Sequence, residues 1–348
     1  MSLLPILIAL ALVSQTSTRS DSEAEPFAAQ DPGAIVAATQ RFELRSDPRV
    51  TLHHFLIAWA SSDAGKWPRY ATPVAERETW RLLLDDDGRQ AWNVALQAYS
   101  SAVGRSYVFD AGLIAVRDWA AGAGTRQTIP AADQPLADAL EAVFPIYRRH
   151  WWPAHDARNR AFIESVAPPL AAIEGSVIPR LEAAYGGHWP DTKIAVDAVV
   201  YANDVGAYST GGRLTIASGD PDSDHMPQAL ELVFHEASHV DPLEAPLRTA
   251  LNGAFQAVGG AAPDRLWHDM IFYTTGEVVR LVLAERGQPG YKHYGEYGVY
   301  RRGERWSVEL PALERNWRPF LESASGDQDA RRAALEDLAK QLLAPEGG

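Results

Sequence analysis

Leu230-Glu231-Leu232-Val233-Phe234-His235-Glu236-Ala237-Ser238-His239-Val240 decides most of the reading of this chain. Leu230, Val233, Phe234 and Val240 recur at helical spacing, and Pro242 stops the run, so residues 230–240 are predicted to form one amphipathic helix. Asp222, Ser223 or Asp224 offers an N-cap before Met226 and Pro227. Residues four apart on a helix share a face, so His235 and His239 can turn imidazole nitrogens toward one small cation. Glu236 is rotated by about 100° from His235 and is placed to hold a water rather than the ion. The bland alternative is a core helix with two ordinary histidines.

A catalytic zinc site takes three protein ligands. The extended pattern H-E-x-x-H-x-x-G-x-x-H needs Gly and His where this chain has Pro242 and Ala245, which excludes that arrangement. Glu277, in Thr274-Thr275-Gly276-Glu277-Val278-Val279-Arg280, is the expected third ligand. It is a carboxylate inside an apolar helical run, where a charge needs a partner and Zn²⁺ would be one; pairing with Arg280 is the alternative. Gly276 beside it suggests close approach of two helices. His268 is the second choice. Nine residues turn a helix by about 900°, so His268 and Glu277 should not face the same ion. Asp241 and Glu244 lie too near the end of the histidine helix to reach back.

These residues resemble the gluzincin clan of zinc metallopeptidases, in which H-E-x-x-H on one helix is completed by a glutamate from a later one. The match covers roughly residues 193–306. It implies a zincin-like core, one Zn²⁺ on His235, His239 and Glu277, Glu236 as general base, a peptide or protein substrate, and residues 213–218 as the edge strand along which the substrate lies. The donor-rich stretch 291–302 would then supply an oxyanion donor, with Tyr294 favoured over Tyr297 and His293. Two other readings use the same residues: a non-catalytic zinc-containing binding or scaffold protein, and a zinc amidase or esterase on a non-peptide substrate.

The remaining sequence bounds these readings. With 348 residues, 46% of them hydrophobic, the chain can bury a large core. A net charge of −13 argues against a nucleic-acid partner. The absence of cysteine excludes disulfides, thiolate metal sites and a cysteine nucleophile. The apolar run 3–13 is too short to span a bilayer and suits a signal peptide over 1–20, hence a secreted or periplasmic location, an uncleaved anchor being the alternative. No later stretch is expected to cross a membrane, and oligomeric state is left open.

Residues 21–48 read as a polar leader and 49–190 as a helical region with breaks at Asp85-Asp86-Asp87-Gly88 and at Pro168-Pro169. Residues 191–310 form the core, with strands at 193–201 and 213–218 joined through 205–212, then helices at 243–258 and 263–286. Helices over 311–348 pack on it. The fold class is mainly α with a small β-sheet (α+β). His53-His54, the Trp151–Asp156 stretch, Asn203 and Tyr208 are conspicuous but read as packing or turn residues.

Overall fold

A computed structural model describes residues 34–66, 73–202, 206–219, 228–240, 242–301, 303–323 and 326–344. The signal-peptide segment, the N-cap candidates at 222–224, Asn203, Asp241 and Arg302 lie outside them.

Strands β1 (Ala34–Ala38) and β2 (Phe42–Ser46) come from the stretch expected to be a leader. The alternation Phe42-Glu43-Leu44-Arg45-Ser46, with Phe42, Leu44 and Ser46 buried, is a strand signal with one face inward. Prolines at 32 and 48 flank it rather than prevent it. Helix α1 (Pro48–Asp63) starts where the Asp47 side chain accepts hydrogen bonds from the amides of Arg49 and Val50, with Pro48 in the first turn. Helices α2 (Val74–Leu83), α3 (Asp86–Ser100), α4 (Ala111–Ala120) and α5 (Gln134–His150) follow. The break at 85–88 is real, because Asp85 caps α3.

The break expected at Pro168-Pro169 is absent. Helix α6 (Trp152–Tyr185) runs through Pro168, Pro169 and Pro179. Packing outweighs the roughly 3 kcal/mol that an interior proline costs, since Leu170, Val177 and Leu181 are buried against the sheet-side core. By length and composition α6 could cross a membrane, against the expectation that no later stretch would. It also carries buried Glu174 and Asn159, bonded to Thr39 and to Ser218, as suits a helix packed inside a protein.

Strands β3 (Ile194–Val199), β4 (Ala207–Thr210) and β5 (Arg213–Ala217) complete a five-stranded mixed sheet of order β1-β2-β3-β5-β4. Pairs β2–β3 and β3–β5 are parallel; β1–β2 and β4–β5 are antiparallel. Thus β4, read from sequence as connection, is a strand, and it rather than β5 forms the edge. Gly211 and Gly212, both at positive φ, make the turn between them. One sheet face meets α1. The other carries Val196, Leu214 and Ile216 into the core shared with α6, α7 (Gln228–Ala237) and α9 (Leu266–Glu285). Helix α8 (Glu244–Ala257) lies between α7 and α9 in sequence; α10 (Arg305–Ala312), α11 (Arg318–Ser323) and α12 (Gln328–Leu343) close the chain. The result is a mainly helical fold with one small sheet, and residues 31–348 form one compact unit.

Candidate metal centre

Helix α7 is buried along its whole length and delivers His235 from its last turn. The α-helix stops at Ala237, and the chain continues in tighter turns, with the His239 amide donating to Glu236 O and the Val240 amide to Ala237 O. His239 nevertheless stays over His235: their Nε2 atoms are 3.3 Å apart. That is close to the roughly 3.3 Å edge of a tetrahedron built from metal–nitrogen bonds of about 2.0–2.1 Å.

The third member is His268, in the first turn of α9. One ligand nitrogen from each of His235, His239 and His268 lies within 4.8 Å of the others. The His239 and His268 rings stack at 5.1 Å, and both meet His235 edge-on. Burial, and then the neighbouring His239 and His268, push the His235 imidazole well below its ordinary range, so it is neutral at pH 7 and has a lone pair to give. Three imidazole nitrogens this close together fit a divalent metal ion.

Glu277 is not among them. Its carboxylate, 1% exposed, accepts from Arg280 Nε at 2.8 Å and from His293 Nε2 at 2.8 Å, and pairs with Arg318 Nε at 3.2 Å. The ligand set is therefore not the His-His-Glu of a gluzincin, and that resemblance is overturned. The premise that a buried carboxylate needs a partner was sound, but three cationic or hydrogen-bonding side chains supply it. Burial alone would raise this carboxyl; the hydrogen bonds and charge of Arg280 and His293 outweigh it and hold it at about 2.

The oxyanion-donor candidates lie in the short turns that follow α9. His293 has both nitrogens engaged, Nε2 by Glu277 and Nδ1 by the Tyr300 hydroxyl at 3.2 Å. Tyr297 is 61% exposed on a short turn. Tyr294 packs on Phe272, which also contacts His235, while its backbone amide donates to Glu231.

Glu236 stands beside the histidine trio, 9% exposed. Ser209 Oγ, from edge strand β4, donates to its Oε2 at 3.0 Å. Burial raises this carboxyl above its ordinary value, against the lowering effect of His239, the Ser209 hydrogen bond and His268. Strand alternation turns Tyr208 the other way, onto α1, where its hydroxyl meets His54 Nε2 at 2.9 Å. Glu244, set aside as too close to act as a ligand, reaches His239 itself: its Oε2 is 3.1 Å from His239 Nδ1. Neither Ser209 nor Glu244 carried a motif signal, since each acts through a contact that only the fold creates.

Comparison of the chain with protein-family models, curated proteins and solved structures gave no match. The chemistry of the site therefore rests on its own geometry.

Proposed function

We propose that this protein is a metal-dependent hydrolase in which His235, His239 and His268 hold one divalent cation, zinc fitting the donor set best, and Glu236 handles the proton. The bond hydrolysed is an acyl bond, an amide or ester, and the three-histidine donor set does not by itself select a peptide. Convergence of three imidazole nitrogens beside a buried carboxylate carries the reading.

A cation held there would supply electrophilic pull on a carbonyl and acidify a water. The residues do the rest. Glu236, its basicity raised by burial, takes a proton from the attacking water and returns it to the leaving group. Ser209 pins one carboxylate oxygen, which leaves the other to face the reacting atoms. Imidazole ligands add no negative charge, so a cation held by them would keep its full positive charge, which suits stabilising developing negative charge more than a carboxylate-bearing set would.

A second reading, a non-catalytic metal-binding protein, is supported by the depth of the site, where His235 is only 5% exposed. One experiment separates them. Metal-loaded protein and Glu236→Gln would be assayed on panels of chromogenic amides and esters: turnover lost in the variant with metal retained supports the hydrolase. Stoichiometric metal with no turnover by the parent protein favours the binding reading. Export is proposed on the apolar run 3–13 alone.

A further inference from the structure

We infer that Glu244 is a positioning residue of the metal centre, acting through His239; this rests on the three-histidine reading above. An imidazole can offer Nε2 to a cation in a fixed direction only when Nδ1 keeps its proton and that N–H is held. The Glu244 carboxylate does this at 3.1 Å. Its other oxygen accepts from Arg248 Nη1 at 3.0 Å, one turn further along α8. The Arg248 guanidinium lies 4.6 Å above the Trp267 ring. Trp267 in turn packs edge-on against His239 at 5.9 Å and against its neighbour His268 at 5.5 Å.

The contacts thus close a ring, His239–Glu244–Arg248–Trp267–His268, joining the end of α7, the start of α8 and the start of α9. His239 and His268 come from separate elements, and this ring sets their separation as well as the His239 tautomer. The support is uneven among the three ligands. His235 Nδ1 and His268 Nδ1 are buried without a hydrogen-bond partner among the described residues, and His268 Nδ1 is 3.8 Å from Asp269, too long for a hydrogen bond. Glu244 therefore holds its histidine more closely, at 3.1 Å, than Asp269 holds His268, at 3.8 Å.

Glu244 owes its place to Gly187. A Cβ at 187 would meet Pro242 O at 2.7 Å and Leu243 Cα at 3.0 Å, so only glycine lets the entry to α8 lie where Glu244 reaches His239.

The test is a zinc titration of metal-stripped, full-length protein against a chromophoric chelator, independent of any catalytic assay. Glu244→Ala should weaken zinc binding by about 10- to 100-fold. Glu244→Gln, whose amide oxygen still accepts the Nδ1 proton, should recover most of that loss. Arg248→Met, at an exposed site, should cost a few-fold by loosening the Glu244 carboxylate. Unchanged affinity in Glu244→Ala, or equal losses in the Ala and Gln variants, overturns the assignment. Should Glu244→Ala fail to fold, Arg248→Met decides alone, and parent-like affinity there overturns it. Failure of the parent protein to bind zinc would instead sink the three-histidine reading.

Discussion

Glu277→Gln gives the sharpest separation between the two roles this residue could have. The substitution keeps the size of the side chain and removes the charge that faces Arg280, His293 and Arg318. A carboxyl held at about 2 rather than at 4.5 corresponds to about 3.5 kcal/mol at roughly 1.4 kcal/mol per pH unit. Arg318 is 38% and Arg280 22% exposed, so water screens part of this, and we expect a loss of about 2 kcal/mol. The sign follows from the direction of the shift. A depressed carboxyl contributes stability that is complete above its unfolded value and is lost as pH falls through the folded one. Urea unfolding of both proteins should therefore differ by the full amount at pH 7, by less below pH 4.5, and by almost nothing near pH 2. Zinc stoichiometry should stay unchanged in the variant. Loss of zinc with unchanged stability would refute the reasoning and return Glu277 to the metal.

His268→Ala and His239→Ala should each remove stoichiometric zinc by metal analysis after dialysis; full retention in His268→Ala would mean that the third ligand lies elsewhere. Tyr208→Phe leaves His54 Nε2 without its 2.9 Å partner in a fully buried site, which should cost about 1–3 kcal/mol in chemical unfolding; a change below about 0.5 kcal/mol would show that this contact does not anchor β4. Gly276→Ala would put a Cβ 2.8 Å from Glu231 Oε1 and 3.2 Å from His293 Cγ, so it should destabilise by about 1–3 kcal/mol, whereas stabilisation, the usual result for an open helical glycine, would contradict the close approach.

Local signals made α7, α8, α9 and the strand around Val196 readable, because each has its own periodicity and stop residues. His235, Glu236 and His239 were readable for the same reason: their relation is internal to one helical turn. The third ligand required a tertiary fact. Helical geometry correctly said that His268 and Glu277 face opposite ways, so that one of them at most could join the pair. What decided between them was which face of α9 meets α7 and which meets α11, and no residue in α9 announces that. The ion-pair partners of Glu277 illustrate the difficulty. Arg280 is visible at helical spacing, but His293 and Arg318 arrive from beyond the helix. The edge strand was missed for a different reason, since four residues, Ala207 to Thr210, are too few for an alternation to stand out against a glycine turn.

The parallel pairing of β2 with β3 places Phe42 opposite Ile194 and so has a consequence for how the chain comes off the ribosome. Closing a loop of about 150 residues costs on the order of 4 kcal/mol of chain entropy, and at roughly 5–20 residues per second the partner strand emerges about 8 to 30 seconds after β2. Through that interval the β1–β2 hairpin presents an unpaired edge and the apolar side chains of Phe42 and Leu44. Only when β3, β5 and α7 have followed can the sheet close, so a nascent chain must be kept from pairing with its neighbours for most of its synthesis.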